Sequence, residues 1–258
     1  MLVWIQQIRP KQWVKNSFVL AAPLFSAFPV SWSQAILGGI IFIIISGVVY
    51  ILNDILDLDR DRKHPQKCNR PLASGKITIN QAKTEDLILL GIGLIASLYL
   101  SLAFLLIVGL YLIINLAYSF ILKNIPVIDL FCIAFGFVLR AWAGAIAVGI
   151  TVTPRFLICI FGLSLFLALR KREFDLNPRY NQLWIPAASQ IARVMAGAEY
   201  TIFAMQSVFW PTIPLVWAGL YKYSGGVAEN ELIKNKTLRA ILLAFGMLVI
   251  VLKRRAVS

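Results

Sequence analysis

The sequence predicts an all-α polytopic membrane protein, because its composition and its long uncharged runs both point to helices in lipid. The chain has 258 residues, of which 59% are hydrophobic and only 14% are charged. Residues 16–53 and 87–122 contain no charged side chain. A transmembrane helix needs about 20 mainly apolar residues, so each run is long enough for two spans. Such continuous apolar runs favour helices over the alternating strands of a membrane barrel.

About nine transmembrane helices are predicted, in a single domain that covers residues 1–258. Their expected bounds are 17–31, 34–56, 85–101, 103–122, 127–149, 154–170, 187–205, 207–222 and 238–253. Arg193 and Glu199 interrupt the seventh span, and Pro211 and Pro214 break up the eighth. The small residues of segment 141–149 should allow close helix packing.

Basic clusters indicate which end of the bundle faces the cytoplasm. They precede the first span and follow the second, fourth and sixth: Arg9, Lys11, Lys15, Arg60, Arg62, Lys63, Lys67, Arg70, Lys76, Lys123, Arg170, Lys171, Arg172 and Arg179. Cytoplasmic loops carry excess Lys and Arg, so this end should face the cytoplasm. Nine spans then place the C-terminus outside, although it carries the basic segment 253–255. Either that segment is a weak topogenic signal, or the span count differs from nine by one.

The net charge of +13 has two compatible interpretations. It follows from the excess of basic residues in cytoplasmic loops, or it marks a basic chamber for anionic substrates. Membrane lipid is the expected surrounding partner, and no nucleic acid is expected.

A stripe of oxygen-bearing side chains lies where the second span ends. Asn53, Asp57 and Asp61 recur at every fourth position, so a helix places them on one face, with Asp54 beside them. Carboxylates at a membrane surface are costly unless a cation neutralises them. Mg²⁺ prefers such oxygen ligands and commonly binds together with substrate phosphates. These four residues are therefore candidate Mg²⁺ ligands. The alternative is an acidic helix end that neighbouring arginines balance.

Two connections supply further groups that suit a phosphorylated substrate. Lys67 and Arg70 lie in a basic loop that would cover the stripe, and arginine suits bidentate contact with phosphate oxygens. Tyr118, Lys123 and Asp129 lie at the junction after the fourth span, where they could orient a phosphate. The structural alternatives are a topogenic charge in the loop and a snorkelling Lys123.

Arg140 lies about three turns into the fifth span. A charge at that depth is costly and usually faces an interior cavity or a partner carboxylate. Arg140 is therefore a candidate phosphate ligand. The structural alternative is a buried pair with a group such as Asp129 or Glu199.

Two further segments combine charge with a position at the membrane surface. The three consecutive cations 170–172 precede Glu173 at the end of the sixth span and would bind phosphate well. Lys15 and Asn16 end an N-terminal segment in which basic and aromatic residues alternate. Both segments also fit simple interfacial anchoring. The candidate substrate ligands in them are Lys15, Asn16, Lys171, Arg172 and Glu173.

Together these motifs resemble the UbiA superfamily of intramembrane prenyltransferases. Asn53–Asp61 matches its NDxxDxxxD motif, Arg70–Gly75 matches the RPLxSG that follows, and Tyr118–Asp129 matches YxxxLKxxxxxD. The resemblance covers most of the chain through residue 175. It implies a helix bundle around a lipid-open cavity, capped by cytoplasmic loops, with Mg²⁺ bound at the first motif.

One departure from the family pattern changes the expected substrates. Superfamily members typically carry a second DxxxD motif after the sixth span, whereas this chain has KREFD at 171–175. Cations there would replace metal-mediated phosphate binding by direct contact, which suits two phosphorylated substrates. The segments RPKQWVKN at 9–16 and GFVLRAWAG at 136–144 are similar to a branch of the superfamily that transfers phosphoribosyl groups to polyprenyl phosphates.

That resemblance implies Mg²⁺-dependent transfer of 5-phosphoribosyl from phosphoribosyl pyrophosphate to a polyprenyl (decaprenyl) phosphate, with release of diphosphate. The lipid phosphate is already ionised, so positioning and electrostatics would supply most of the rate. The residues expected to be catalytic are Asp57, Asp61, Lys123 and Arg140.

Two other functions compete with this interpretation. An ordinary UbiA-type enzyme would move a prenyl group from its diphosphate to an aromatic or lipid acceptor, but the cations at 170–172 argue against it. A transporter of organic anions would line its path with the interior charges and would be built from matched inverted halves, yet the sequence shows no internal repeat.

Overall fold

The computed structural model describes residues 2–174, 184–224 and 235–257, and within them the chain is helical with no strand. Its α-helices are α1 Leu2–Gln7, α2 Ala21–Phe25, α3 Trp32–Leu56, α4 Leu58–Arg62, α5 Ile79–Leu100, α6 Leu102–Phe120, α7 Ile128–Ala147, α8 Pro154–Phe174, α9 Ile185–Met205, α10 Ile213–Ser224 and α11 Lys236–Val257. Short 3₁₀ helices connect some of them, at Pro10–Leu20, Lys67–Asn69, Leu122–Asn124 and Trp210–Thr212. The all-α prediction is confirmed. By length and apolarity, the described helices that could each cross a membrane are α3, α6 and α7.

The first predicted span differs from the structure. Residues 17–31 were expected to form one helix, but the chain forms the 3₁₀ helix Pro10–Leu20 followed by α2, which ends at Phe25. Residues 26–31 are not helical. Pro29 contributes to this break, because a proline disfavours the helical conformation of the residue before it.

Proline also shortens the eighth predicted span, 207–222. Helix α10 begins only at Ile213, after the 3₁₀ turn Trp210–Thr212 that contains Pro211. Proline has no N–H to donate inside a helix. Pro214 is tolerated because it lies in the first turn of α10, where the N–H has no helical partner.

Helix α7 is the central element of the bundle, and it contacts α2, α3, α6, α8 and the 3₁₀ helix Pro10–Leu20. The contact with the 3₁₀ helix depends on Gly144. A Cβ atom added at Gly144 would lie 1.7 Å from the carbonyl oxygen of Val19. The close packing predicted for segment 141–149 is therefore found at Gly144, where only hydrogen fits.

The end of the bundle opposite the aspartate motif, hereafter the far end, is closed by aromatic contacts. Helix α3, which is 25 residues long, starts there at Trp32 and ends at Leu56, within the motif. The ring of Phe203, near the end of α9, lies 5.9 Å from the rings of both Phe25 and Phe156. The ends of α2 and α9 and the start of α8 therefore lie together at the far end.

The C-terminal helix also reaches the far end. The Lys253 ammonium donates to the carbonyl oxygens of Pro23, at 2.8 Å, and Ser26, at 2.9 Å. It lies 5.7 Å from the ring centroid of Trp32. Cations stabilise the carbonyl end of a helix, so Lys253 caps α2 and has a structural role.

Candidate active site

The four residues of the aspartate motif lie where α3 passes into α4. The N–H of Asp57 donates to the carbonyl of Asn53 at 2.9 Å, and the N–H of Asp61 donates to the carbonyl of Asp57 at 2.8 Å. These bonds keep Asn53, Asp57 and Asp61 at helical spacing across the break between the helices. Asp54 and Asp61 are buried, whereas Asp57 is partly exposed.

Arginines from two other segments neutralise the buried carboxylates. Arg9 Nη2 and Arg70 Nη1 both donate to Asp54 Oδ1, the latter over 3.0 Å. Arg70 Nη1 also donates to Asp61 Oδ2 at 2.5 Å. Lys67 Nζ lies 3.8 Å from Asp61 Oδ1. The predicted phosphate ligands Lys67 and Arg70 therefore reach the motif, where they contact its carboxylates.

Asp57 is paired with two other cations. Lys123 Nζ lies 2.9 Å from Asp57 Oδ1, and Arg60 Nη2 lies 2.7 Å from the same atom. Burial by itself would raise the pKa of Asp57. The hydrogen bonds and charges of Lys123 and Arg60 outweigh it, so the pKa lies below its usual value. Asp57 is therefore a carboxylate at neutral pH, the form that binds metal ions.

The junction after α6 meets the end of α8. Arg172 Nη2 donates to Asp129 Oδ2 at 2.9 Å. The side chain of Tyr118 interacts electrostatically with both of these residues. The structure therefore joins two motifs that are separate in the sequence. Asp129 is almost completely buried, and it positions the Arg172 guanidinium.

The cations at 170–172 do not form the single cluster that was expected. Arg170 is buried and donates to Glu173 Oε2 at 2.6 Å, while Lys171 is exposed and Arg172 pairs with Asp129. Consecutive helical residues point about 100° apart, so one anion cannot contact all three directly. Asp175, which completes the KREFD segment, lies outside the described residues.

Arg140 has a different environment, in the centre of the bundle. Its side chain is 6% exposed. Nε donates to Asn16 Oδ1 at 2.9 Å, Nη1 to the carbonyl of Gly136 at 2.9 Å and Nη2 to the hydroxyl of Tyr111 at 2.7 Å. Asn16 in turn donates to the hydroxyl of Ser46 at 2.9 Å. Within the described chain, all the acceptors of Arg140 are electrically neutral.

The structural alternative for Arg140, an ion pair with Asp129 or Glu199, is therefore wrong. Asp129 is paired with Arg172, and Glu199 Oε2 is buried without a hydrogen-bond partner. Among the described residues no carboxylate lies within 4 Å of Arg140.

Sequence reasoning missed two residues of this region. Arg9 was interpreted only as a topogenic charge, yet it binds Asp54 and lies 5.0 Å from the ring centroid of Tyr50. The sequence did offer one signal, because Arg9 lies in the same basic segment as Lys15, a predicted substrate ligand that is half-buried in the structure. Tyr111 lies within an uncharged run, and nothing in the sequence connects it with Arg140.

The donor set fits a hard divalent cation by its chemistry. Asn53, Asp57 and Asp61 supply amide and carboxylate oxygens, and Asp61 Oδ1 is buried without a hydrogen-bond partner. Among residues 2–174, 184–224 and 235–257, no three acidic, histidine or cysteine side chains already converge as a metal cluster. Arg70 and Lys123 lie against the carboxylates instead, so metal binding requires them to turn aside.

Comparison with known proteins identifies the family. The UbiA prenyltransferase family matches residues 17–228. The chain is 30% identical to decaprenyl-phosphate phosphoribosyltransferase of Corynebacterium glutamicum, over 93% of this chain and 83% of that protein. It is 32% identical to the protein of the same name from Mycolicibacterium smegmatis, over 67% of this chain but only 57% of that relative.

Solved structures show the same fold. A UbiA homolog from Archaeoglobus fulgidus bound to GPP and Mg²⁺ superposes with a TM-score of 0.76, at 20% identity and over 98% of both chains. The apo structure of a UbiA homolog from Aeropyrum pernix K1 gives a TM-score of 0.71, at 17% identity and over 94% of this chain and 96% of that one. Since the family match spans most of the sequence and the fold agrees, this chain belongs to the UbiA prenyltransferase family and is an intramembrane transferase.

Proposed function

We propose that this enzyme transfers 5-phosphoribosyl from phosphoribosyl pyrophosphate to a polyprenyl phosphate, with decaprenyl phosphate as the acceptor suggested by the names of its relatives. The C1–O bond to diphosphate breaks, and a C1–O bond to the lipid phosphate forms. The transporter alternative is wrong because the chain belongs to a family of transferases.

The observation that carries this proposal is the environment of Arg140. A guanidinium that is 6% exposed in an apolar bundle, with only neutral acceptors in the described chain, favours an anionic ligand. A phosphate of either substrate meets that requirement. Asn16, Gly136 and Tyr111 each use one donor group of Arg140. One N–H on each terminal nitrogen is left to reach that phosphate.

The aspartate motif is proposed as the site of the diphosphate. Asn53, Asp57 and Asp61 would hold Mg²⁺, which when bound would neutralise the leaving diphosphate. Asp54 has a different role in this proposal. It holds the guanidinium groups of Arg9 and Arg70 beside the motif, from where Arg70 can turn to phosphate oxygens.

The chain has to position two anions and suppress their repulsion. The lipid phosphate oxygen attacks C1 from the face opposite the diphosphate, with inversion, while positive charge develops on the ribose. That oxygen is already ionised, so no side chain has to remove a proton. Lys123 and Arg140 are proposed to stabilise negative charge by electrostatic preorganisation, and fixed alignment of the substrates lowers the entropic barrier.

Other residues are proposed to bind the substrates together with the aspartate motif and Arg140. Those proposed to contact substrate phosphate or ribose directly are Lys15, Asn16, Lys67, Arg70, Tyr118, Lys171 and Arg172. Asp129 and Glu173 would act by holding Arg172 and Arg170, to which they are bonded.

One assay tests the reaction. Purified protein is incubated with Mg²⁺, labelled phosphoribosyl pyrophosphate and polyprenyl phosphate, and the organic phase is counted. The proposal predicts label in the organic phase only when both substrates and Mg²⁺ are present. Transfer only with a prenyl diphosphate and a labelled aromatic acceptor would instead favour prenyl transfer, the activity in the family's name.

We also propose nine spans, with the aspartate motif at the cytoplasmic face of a prokaryotic inner membrane. Lys253 contacts Pro23 and Ser26 at the far end, whereas Arg9 of the N-terminal segment contacts Asp54 at the motif end. The two ends of the described chain therefore lie on opposite sides, which supports an odd number of spans. A reporter fused after residue 258 should be active outside the cytoplasm, and cytoplasmic activity would contradict this topology.

A further inference from the structure

A crevice with several polar side chains in its walls lies at the far end, away from the candidate active site. Its volume is about 400 Å³, and its walls are Thr153, Pro154, Arg155, Phe203, Gln206 and Ser207. It lies between the start of α8 and the end of α9, beside the aromatic contacts that close this end.

The crevice offers several hydrogen-bond donors. Arg155 and Gln206 are exposed. Thr153 Oγ1 accepts from the N–H of Phe156 at 3.3 Å, which leaves its hydroxyl hydrogen available. Ser207 contributes less, because its hydroxyl already donates to the carbonyl of Ala204 at 3.0 Å. Arg155 belongs to no salt bridge of the described residues.

The exposed charges of the far end, within the part of the chain that the structure describes, all have the same sign. The connections there, residues 26–31, 148–153 and 206–212, contain no Asp or Glu, and neither does the C-terminal segment 250–258. Arg155, Arg254 and Arg255 are exposed at this end, while Lys253 turns inward to cap α2. Under the positive-inside rule this end should carry few cations, so topology does not account for them.

The geometry points to a binding site for the phosphate headgroup of an anionic membrane phospholipid, such as phosphatidylglycerol, with Arg155 as its main ligand. Basic pockets between transmembrane helices at the cytoplasmic face bind anionic headgroups, and the same charge complementarity operates at the far end. Helix ends lie at headgroup depth in a membrane protein. A zwitterionic headgroup fits less well, since its ammonium group would find no carboxylate in these connections. This inference does not depend on the reaction proposed above.

Native mass spectrometry of the whole protein in a neutral detergent tests the site. Phosphatidylglycerol or phosphatidylcholine is added at equal mole fraction, and lipid retention is compared. The wild type should retain phosphatidylglycerol in preference to phosphatidylcholine. Arg155→Gln should weaken that retention about fivefold, the loss expected for one basic residue near the membrane surface. Arg239→Gln is the matched control, because Arg239 is exposed at the start of α11, at the other end, and the charge change is identical.

Three outcomes would overturn the inference. They are equal retention of phosphatidylglycerol by Arg155→Gln and the wild type, equal retention of the two lipids by the wild type, and equal weakening by Arg239→Gln. A fourth arm adds inorganic phosphate, and a rise in melting temperature as large as that from phosphatidylglycerol would contradict a lipid ligand. Lipid-free melting temperatures of both variants should match the wild type because both side chains are exposed, which confirms that the variants are folded.

Discussion

Arg140 donates a hydrogen bond to the hydroxyl of Tyr111 over 2.7 Å, and its guanidinium carbon lies 4.7 Å from the centroid of the same ring. The two side chains come from α7 and α6, 29 residues apart. Tyr111 is 2% exposed. Tyr111 therefore positions a buried cation that contacts no carboxylate among the described residues.

Tyr111→Phe tests this positioning role. The ring stays but the acceptor is lost, and a hydrogen bond to a charged group contributes about 1.5–3 kcal/mol. We expect kcat/KM for one phosphorylated substrate to fall about tenfold, mainly through KM. Tyr99→Phe is the control, because Tyr99 is 83% exposed. A lower melting temperature for Tyr111→Phe with unchanged kinetic constants would show a purely structural role.

Arg140 itself should tolerate no substitution. Lysine keeps the charge but cannot reproduce the fork that contacts Asn16, Gly136 and Tyr111 together, and Arg140→Gln removes the charge. We expect kcat/KM to follow the order wild type, Arg140→Lys, Arg140→Gln, with a loss of at least about 100-fold for glutamine. Full activity of a folded Arg140→Gln variant would remove Arg140 from the anion site.

The aspartate motif contains its own control. Asp57→Asn should abolish Mg²⁺-dependent transfer, because it removes a carboxylate held by Lys123 and proposed to bind the metal. Asp59→Asn should leave activity within about twofold, since the Asp59 side chain is 95% exposed and surface substitutions away from a site have small effects. Comparable activity of the two purified variants at every Mg²⁺ concentration would contradict the metal role.

Gly144→Ala should disrupt the bundle. Its Cβ would lie 1.7 Å from the Val19 carbonyl oxygen, so α7 and the 3₁₀ helix Pro10–Leu20 would have to separate. We expect the loss of stability to exceed the roughly 1–3 kcal/mol typical of overpacking. The measurement is the melting temperature in detergent, which should fall far below that of the wild type. Gly91→Ala is the control, because a Cβ at Gly91 meets no atom within 4 Å. Equal melting temperatures for both variants would contradict the close approach.

The helices and the aspartate motif were predictable because their signals are local. Apolar runs set α3 within two residues of its predicted start, and helical spacing relates Asn53 to Asp57. The contacts of the site were not predictable, because they join distant positions. Arg9 and Asp54 are 45 residues apart, and no local pattern records which helix faces meet.

Local patterns also misled in two places. The run 17–31 is apolar enough for a span, but the 3₁₀ helix and the break after Phe25 replace it. The cations at 170–172 look like one phosphate cluster in the sequence, yet helical rotation sends Arg170 and Arg172 to different carboxylates. The sequence gives the number of cations in this segment, but it does not give the direction in which each side chain points.

A double-label experiment tests the central claim most directly. Phosphoribosyl pyrophosphate carrying ¹⁴C in the ribose and ³²P in the diphosphate is incubated with Mg²⁺, polyprenyl phosphate and the purified protein. Phosphoribosyl transfer predicts ¹⁴C in the organic phase and ³²P in the aqueous phase as free diphosphate. Both labels remaining in water with folded protein, or both moving together into the organic phase, would contradict it.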